Sequence, residues 1–223
     1  MVVDPHLDPT SRGRVRVEPC AKRIRAYRAG TLILDTTNAM YVWEHPAFPA
    51  YFVPQADVLV PTPGAVAIDE LPDHVHFAWR SFDAWFEEDE EVFVHPRDPY
   101  ARIDILPSSR RVVVEIDDVV VADSTHARVL FETRLPPRWY IPKTDVRMDL
   151  LTPTATASLC PYKGQAEYWS ARVGDRDAVD IAWSYPTPLP ESERIAGLIS
   201  FYNEKVDLTV DGERQARPRT KFS

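Results

Sequence analysis

The strongest constraint on the fold of this chain is an internal repeat. Residues 22–58 align without a gap on residues 110–146, at a constant offset of 88, and nine of the 37 aligned positions are identical. The identical positions include charged residues and prolines, among them Asp35/Asp123, Glu44/Glu132 and Pro54/Pro142. Because chance similarity rarely preserves such residues over this length, the sequence predicts two copies of one domain.

Each copy begins with the pattern of a β-hairpin. In the second copy, the β-branched runs Arg111–Ile116 and Val119–Ala122 are separated by the turn pair Asp117-Asp118. The chain has 21 prolines and only 7 glycines, which is typical of many short elements joined by stiff corners. We therefore predict a mainly β fold, made of two tandem small antiparallel β domains.

The spacing of apolar residues also predicts one short helix in each domain. The residues at helical spacing in the second copy are Ile195, Leu198, Ile199 and Tyr202, and those in the first are Phe82, Trp85 and Phe86. We predict that the two copies rejoin before these helices, where Phe77-Ala78-Trp79 matches Ile181-Ala182-Trp183.

The repeat also predicts the domain boundaries. We assign residues 12–107 to a degenerate N-terminal repeat, residues 108–212 to a C-terminal domain and residues 213–223 to a frayed tail. The first copy is called degenerate because it has no counterpart of a segment of the second, the turn Cys160-Pro161-Tyr162-Lys163-Gly164.

Charge and cysteine content narrow the classes of partner. The net charge of −8 and the pI near 5.3 argue against binding to a phosphate backbone, so no nucleic acid partner is expected. We also expect no membrane partner, because no apolar run approaches the length of a membrane span. With two cysteines and no targeting segment, we expect a cytoplasmic protein. The oligomeric state cannot be derived from the sequence.

Most of the candidate chemistry is gathered in the turn from Cys160 to Gly164. Pro161 suits the first corner of a type I turn, and Gly164 can adopt the positive φ that closes a hairpin loop. Cys160 is the candidate nucleophile or redox thiol, and the ammonium of Lys163 could favour its thiolate. Cys160 could equally be a small buried apolar residue, and Lys163 a solvated loop residue or the anchor of an anionic ligand.

The second copy is rich in aromatic residues that could form a ligand pocket around this turn. The predicted ligand-binding residues are Tyr140, Tyr162, Lys163, Trp183 and Tyr185. The same aromatic residues could simply fill a small β core.

Several motifs occur in the second copy in a fixed order: Ala122-Asp123-Ser124, Trp139-Tyr140-x-Pro142-x-x-Asp145-Val146, Cys160-Pro161-Tyr162-Lys163-Gly164, Ala182-Trp183-Ser184-Tyr185 and Phe201-Tyr202-x-x-Lys205-Val206. This order resembles a bacterial family known as domain of unknown function 427. The resemblance implies a β-tent architecture, in which two small antiparallel sheets lean together. Relatives with that architecture typically carry zinc on paired CxxC motifs, which this sequence lacks. A nucleotidyltransferase label sometimes attached to the family finds no matching glycine loop or metal-binding acids here.

Three functions remain open. The chain could be a small-molecule-binding β protein whose ligand is polar or anionic, with its pocket near Lys163. It could be an enzyme that uses Cys160, or a structural or interaction protein in which the motifs only maintain the fold. No cofactor is expected.

The absence of a paired ligand motif leads to a prediction about metal content. We expect the purified protein to hold no stoichiometric zinc, because zinc sites in proteins are built from closely spaced Cys and His ligands. Elemental analysis after exhaustive dialysis tests this, and about one zinc per chain would contradict it.

Overall fold

A computed structural model describes residues 16–45, 48–174, 176–220 and 222 of the chain. The chain divides into two compact units, the first ending at Pro99 and the second beginning at Tyr100. Both are built almost wholly from antiparallel β-strands, so the mainly β, antiparallel fold predicted from the sequence is confirmed. None of the helices in the described part of the chain has the length and apolarity needed to cross a membrane.

The first unit contains two antiparallel sheets. Its strands are β1 (Arg16–Pro19), β2 (Ile24–Arg28), β3 (Thr31–Thr36), β4 (Met40–His45), β5 (Phe48–Pro54), β6 (Val66–Ile68), β7 (Leu71–His76), β8 (Ala84–Glu87) and β9 (Glu90–Val92). One sheet has the order β1-β4-β5-β7-β6 and the other β3-β2-β8-β9. Short 3-10 helices cover Gln55–Asp57 and Trp79–Ser81. Alternate residues of both sheets, such as Ile24, Tyr41 and Trp85, pack into one core.

The second unit has the same plan with a larger sheet. Its strands are β10 (Ile103–Pro107), β11 (Val112–Ile116), β12 (Val119–Ser124), β13 (Arg128–Glu132), β14 (Arg138–Ile141), β15 (Leu151–Cys160), β16 (Gly164–Val173), β17 (Arg176–Ser184), β18 (Ile199–Phe201), β19 (Asp207–Val210) and β20 (Glu213–Arg214). The large sheet has the order β10-β13-β14-β18-β17-β16-β15 and the small one β12-β11-β19-β20. Short 3-10 helices cover Lys143–Asp145, Met148–Leu150 and Pro190–Ile195.

The two units share backbone pairings at positions 88 residues apart. Ile24 pairs with Thr36, as Val112 pairs with Ser124, and both hairpins have an irregularity two residues further along. The hairpin turns match as well, because Ala29 and Asp117 both adopt a positive φ, of 47° and 48°.

A side-chain hydrogen bond is also repeated. Thr36 Oγ1 donates to Asp57 at 2.6 Å and accepts from the Asn38 amide at 3.0 Å. Ser124 Oγ donates to Asp145 at 2.6 Å and accepts from the His126 amide at 3.0 Å. Asp57 and Asp145 therefore tie the end of a hairpin to the 3-10 turn that follows the aromatic strand.

The boundary between the two units, at Pro99 and Tyr100, lies N-terminal to the boundary predicted near Pro107. β10 pairs with β13 along its whole length, from Ile103 opposite Glu132 to Pro107 opposite Arg128. This strand is the counterpart of β1 beside β4, so it opens the second unit, although the sequence placed it at the end of the first.

The segments predicted as amphipathic helices are strands in both units. Ala84–Glu87 forms β8 and Ile199–Phe201 forms β18, whereas Pro190–Ile195 is a 3-10 helix that precedes the predicted position. The helical spacing around β18 arises because this strand is buried on both faces. Ile199 packs into the main core, while Leu198 and Tyr202 pack on the opposite face.

Strand order also corrects the match between the later parts of the repeat. His76 at the end of β7 lies opposite Phe52, as Ser200 in β18 lies opposite Tyr140. Phe77 therefore corresponds to Phe201 and not to Ile181. The similarity of Phe77-Ala78-Trp79 to Ile181-Ala182-Trp183 was misleading, since the first segment follows β7 and leads into a 3-10 helix, whereas the second lies within β17.

The described residues of the C-terminal segment, 213–220 and 222, contact the second unit, whereas the sequence predicted a frayed tail. Arg214 in β20 pairs with Thr209, and Thr220 Oγ1 donates to Glu204 at 2.6 Å. The Phe222 ring lies 5.7 Å from the Tyr202 ring.

The repeated hydroxyl leads to a stability prediction. We expect Thr36→Val to lower the free energy of unfolding by about 1–3 kcal/mol, because it leaves Asp57 and the Asn38 amide without their partner. Thr36→Ser should cost less, since serine supplies the same hydroxyl at position 124. Urea denaturation of the two variants measures the difference, and equal losses would contradict the role of the hydroxyl.

Candidate functional site

The Cys160 turn is a hairpin connection between β15 and β16. Cys160 pairs with Gly164, so three residues form the loop, and Gly164 adopts a φ of +88°. The loop packs against a following segment, where the Leu189 amide donates to the Lys163 carbonyl at 3.2 Å. Ser192 Oγ donates to the Tyr162 carbonyl, also at 3.2 Å. These contacts hold the loop against the sheet and orient Lys163 inward.

Lys163 is buried and forms an ion pair with Glu132. Its Nζ donates to Glu132 Oε2 at 2.5 Å, and Lys163 is only 7% exposed. Glu132 lies at the end of β13, 31 residues away in sequence. The lysine is therefore not the solvated loop residue that the sequence allowed as an alternative.

Tyr140 and Trp183 lie on the same face of the large sheet as this ion pair. Trp183 Nε1 donates to the Tyr140 hydroxyl at 3.1 Å, and the two rings meet edge to face with centroids 6.2 Å apart. Both residues lie opposite Ser200, on either side of β18. Burial raises the pKa of Tyr140, and the hydrogen bond from Trp183 offsets only part of that effect, so the phenol stays protonated.

Tyr185 and Cys160 belong to the same group of side chains, which we call the second-face cluster. Its buried members are Ile105, Leu130, Tyr140, Ala166, Trp183, Tyr185 and Ile195, and its partly buried members are Ile103, Cys160, Tyr168, Leu198 and Tyr202. Burial raises the pKa of Tyr185, and the neighbouring groups of Tyr140, Cys160 and Tyr168 raise it further. The cluster thus brings together four of the six predicted site residues.

The remaining two predicted residues border the cluster. Lys163 reaches the end of β13 through Glu132, and Tyr162 is half-buried in the hairpin loop, its backbone carbonyl held by Ser192. Cys160 itself is half-buried at the end of β15. It forms no hydrogen bond with His126 within the described residues, and the imidazole of His126 lies instead 3.8 Å from Asp145.

A second buried ion pair on this face was not found from the sequence. Arg138 donates through both terminal nitrogens to Glu204, at 2.7 and 2.6 Å, and both side chains are buried. The guanidinium carbon lies 5.6 Å from the Trp183 ring centre. The sequence feature that could have indicated this pair is the charged residue in the otherwise apolar segment Arg138–Ile141. If that segment is a buried strand, its arginine needs an acidic partner.

Two histidines of the first unit face backbone carbonyls. His76 Nδ1 lies 3.1 Å from the Tyr51 carbonyl, and His95 Nδ1 lies 2.7 Å from the Pro96 carbonyl. Across the described ranges, no group of three His, Cys, Asp or Glu side chains is arranged to hold a metal ion.

Of the cavities that lie outside the second-face cluster, two are lined by aromatic side chains among the described residues. One, of about 240 Å³, is in the first unit and is lined by Glu44 and several aromatic rings. The other, of about 410 Å³, is in the second unit between Trp139, Arg110 and the tail residues near Pro218. Lys163 lines neither cavity.

The Arg138–Glu204 pair gives a prediction for acid stability. Burial alone would raise the pKa of Glu204, but hydrogen bonds from Arg138 and Thr220 outweigh it and lower the pKa below 4.5. The pair therefore stabilises the fold above that pH, and this contribution is lost as the pH falls through the lowered pKa. We expect Glu204→Gln to reduce stability at pH 7 by about 3–5 kcal/mol and to weaken the pH dependence on the acid side.

Urea denaturation from pH 7 down to about pH 3 measures both effects. Glu193→Gln is the matched control, because Glu193 is exposed and its change should leave the profile unaltered. A Glu204→Gln profile parallel to that of the unmodified protein would contradict the assignment.

Comparison with known proteins assigns the chain to a family. A family model described as "Domain of unknown function (DUF427)" matches residues 16–65 and 104–212. The two matched segments begin 88 residues apart, at β1 and within β10. No curated protein matches the chain. Because the family model covers well over half of the 223 residues, the protein belongs to the family of domain of unknown function 427.

Proposed function

We propose that the protein binds a small molecule on the second-face cluster, at the edge formed by the Cys160 hairpin. The ligand carries a hydrogen-bond acceptor, as a carboxylate or a neutral polar group does, on an apolar body. Its acceptor meets Lys163, and its body lies against the aromatic rings of Tyr140, Trp183 and Tyr185.

The observation that carries the proposal is the incomplete bonding of the Lys163 ammonium. An ammonium has three N–H donors, and among the described residues only Glu132 accepts from it. Two donors therefore remain for a ligand or water, in a position where the Lys163 side chain is 9% exposed. Because a buried donor without a partner is costly, a ligand oxygen placed there would be bound favourably.

The rings around this ammonium supply the rest of a binding site. Tyr140 and Tyr185 stay protonated, since burial raises the pKa of each phenol. Neutral phenols can bond a ligand without adding a charge. Tyr168 is half-buried and its hydroxyl lies 2.7 Å from Ser158 Oγ, so the open side of the cluster presents an aromatic ring with a polar edge. Such a combination of aromatic surface and few polar groups suits small-molecule recognition.

The enzyme alternative, with Cys160 as nucleophile, has less support. A nucleophilic thiol needs a base or a nearby cation. No hydrogen bond joins Cys160 to His126 in the described structure, and the ammonium of Lys163 is already paired with Glu132. The alternative remains a prediction from the sequence.

Benzoate and its neutral analogue benzyl alcohol test the proposed site. We expect benzoate to bind saturably, as followed by NMR chemical shifts. Lys163→Met should weaken this binding about tenfold or more, because it removes the donors. Glu132→Gln should strengthen it, because the carboxylate no longer competes for the ammonium. The matched control is Lys143→Met, which removes an exposed lysine of the same unit.

Stability needs a separate readout, because Lys163→Met leaves Glu132 unpaired. The double variant Lys163→Met/Glu132→Met removes both charges and should retain the fold better than either single change. The site requires that this double variant also fails to bind benzoate. If Lys163→Met only lowers the melting temperature and benzoate binding per folded molecule is unchanged, the residue serves the fold alone and the proposal is wrong.

A further inference from the structure

The first unit holds a cavity of about 240 Å³ that the proposed second-unit site does not use. Three aromatic side chains form part of its wall. The Trp79 and Trp85 rings are stacked with centroids 5.1 Å apart, and the Tyr51 ring lies 5.7 Å from Trp85. Glu44, at the rim, is the one carboxylate side chain in the lining, and no lysine or arginine of the described residues lines it. The cavity therefore combines aromatic surface with negative charge.

The polar groups of this wall are mainly acceptors. The Tyr51 hydroxyl already donates to Glu87 at 2.5 Å, and Trp85 Nε1 donates to the Trp79 carbonyl at 3.0 Å. His76 Nδ1 faces the Tyr51 carbonyl, which can only accept, so the neutral imidazole keeps Nε2 as an acceptor. Glu44 makes no hydrogen bond or ion pair with any residue that the structure describes. A ligand that matches this wall must bring donors and positive charge.

The second unit shows a cation bound to the counterpart of Glu44. Glu44 and Glu132 occupy the same position, near the ends of β4 and β13. In the second unit the ammonium of Lys163 meets Glu132 at 2.5 Å. Among its described residues, the first unit keeps the glutamate but has no counterpart of the hairpin that carries the lysine. The Glu44 carboxylate therefore lines a cavity, whereas the Glu132 carboxylate is paired with the Lys163 ammonium.

A neighbouring position shows the same loss. Ala50 lies opposite Val42, as Arg138 lies opposite Leu130, so alanine replaces the buried arginine. Val42, Glu44 and Ala50 all line the cavity. The cations Lys163 and Arg138 of the second unit thus have no counterpart among the described residues of the first. The cavity lies beside Ala50, which replaces the arginine, and Glu44, which corresponds to the partner of the lysine.

We propose that the first-unit cavity binds a small organic cation, such as an alkylammonium or guanidinium group, between Glu44 and the rings of Tyr51, Trp79 and Trp85. A cation gains from the faces of these rings and from the carboxylate together. The site is separate from the proposed second-unit site, and neither depends on the other.

The test uses n-butylammonium as the probe, with n-butanol as its uncharged analogue and the full-length protein throughout. We expect saturable binding of n-butylammonium by NMR titration. The affinity for n-butanol should be lower by about tenfold or more. Glu44→Gln should weaken n-butylammonium binding by a similar factor. Ala50→Arg should abolish it, because the guanidinium would enter the cavity as Arg138 does on the equivalent face. Asp73→Asn, which removes an exposed acid of the same unit outside the cavity wall, is the matched control and should bind normally.

Three results would overturn the proposal: no saturable binding of n-butylammonium, equal binding of n-butanol, or unchanged binding by Glu44→Gln. The variant Lys163→Met/Glu132→Met separates the two sites. It should bind n-butylammonium normally even where benzoate binding is lost, and loss of n-butylammonium binding in it would assign the cation to the second unit instead. Because Glu44 is exposed, Glu44→Gln should fold normally, so the test does not depend on the stability of Ala50→Arg.

Discussion

The central strands β14 and β18 of the second unit's large sheet are buried on both faces, and this constraint determines how their polar residues are arranged. All four residues of Arg138–Ile141 are buried. Trp139 and Ile141 point into the main core, while Arg138 and Tyr140 lie on the other face. A charged group on a doubly buried strand needs a partner, because an unpaired buried charge costs several kcal/mol. The second face therefore carries hydrogen-bonded pairs and not an apolar core alone.

Two ion pairs meet this requirement and tie distant segments to the sheet. Glu132 holds the Cys160 hairpin through Lys163, and Arg138 holds the segment after β18 through Glu204. Glu204 in turn accepts from Thr220, so the C-terminal residues are tied to the same point. Removing one member of a buried pair costs far more than the pair contributes when intact, because a charge is left uncompensated. The hairpin that carries the candidate site is thus fixed by electrostatic pairing as well as by its β-ladder.

The first unit shows the same scaffold without these pairs. It keeps the hairpin, its bulge and the hydroxyl–carboxylate bond between Thr36 and Asp57. It has Ala50 and Phe52 where the second unit has Arg138 and Tyr140. The hydroxyl–carboxylate bond at the corner is common to both units, whereas the arginine and tyrosine of the second face are replaced in the first unit. Fold and site chemistry therefore occupy different residues of one repeated unit.

The similarity of residues 22–58 to residues 110–146 indicated the repeat. Local patterns predicted the antiparallel hairpins and the position of the Cys160 turn. Each of these depends on neighbouring residues: β-branched runs, turn pairs and a glycine able to adopt positive φ. The sequence also indicated which side chains of the second copy would gather, since Tyr140, Trp183 and Tyr185 lie in conspicuous aromatic motifs.

The tertiary structure alone decided which charged residues pair and that Lys163 is buried. Glu132 and Lys163 are 31 residues apart and Arg138 and Glu204 are 66 apart, so no local pattern links them. The strand at Ile199–Phe201 resembled a helix because both of its faces are buried, which removes the simple alternation of an exposed strand. Strand order and burial arise from contacts between segments far apart in the chain, and a single sequence records the residues of those segments but not which of them meet.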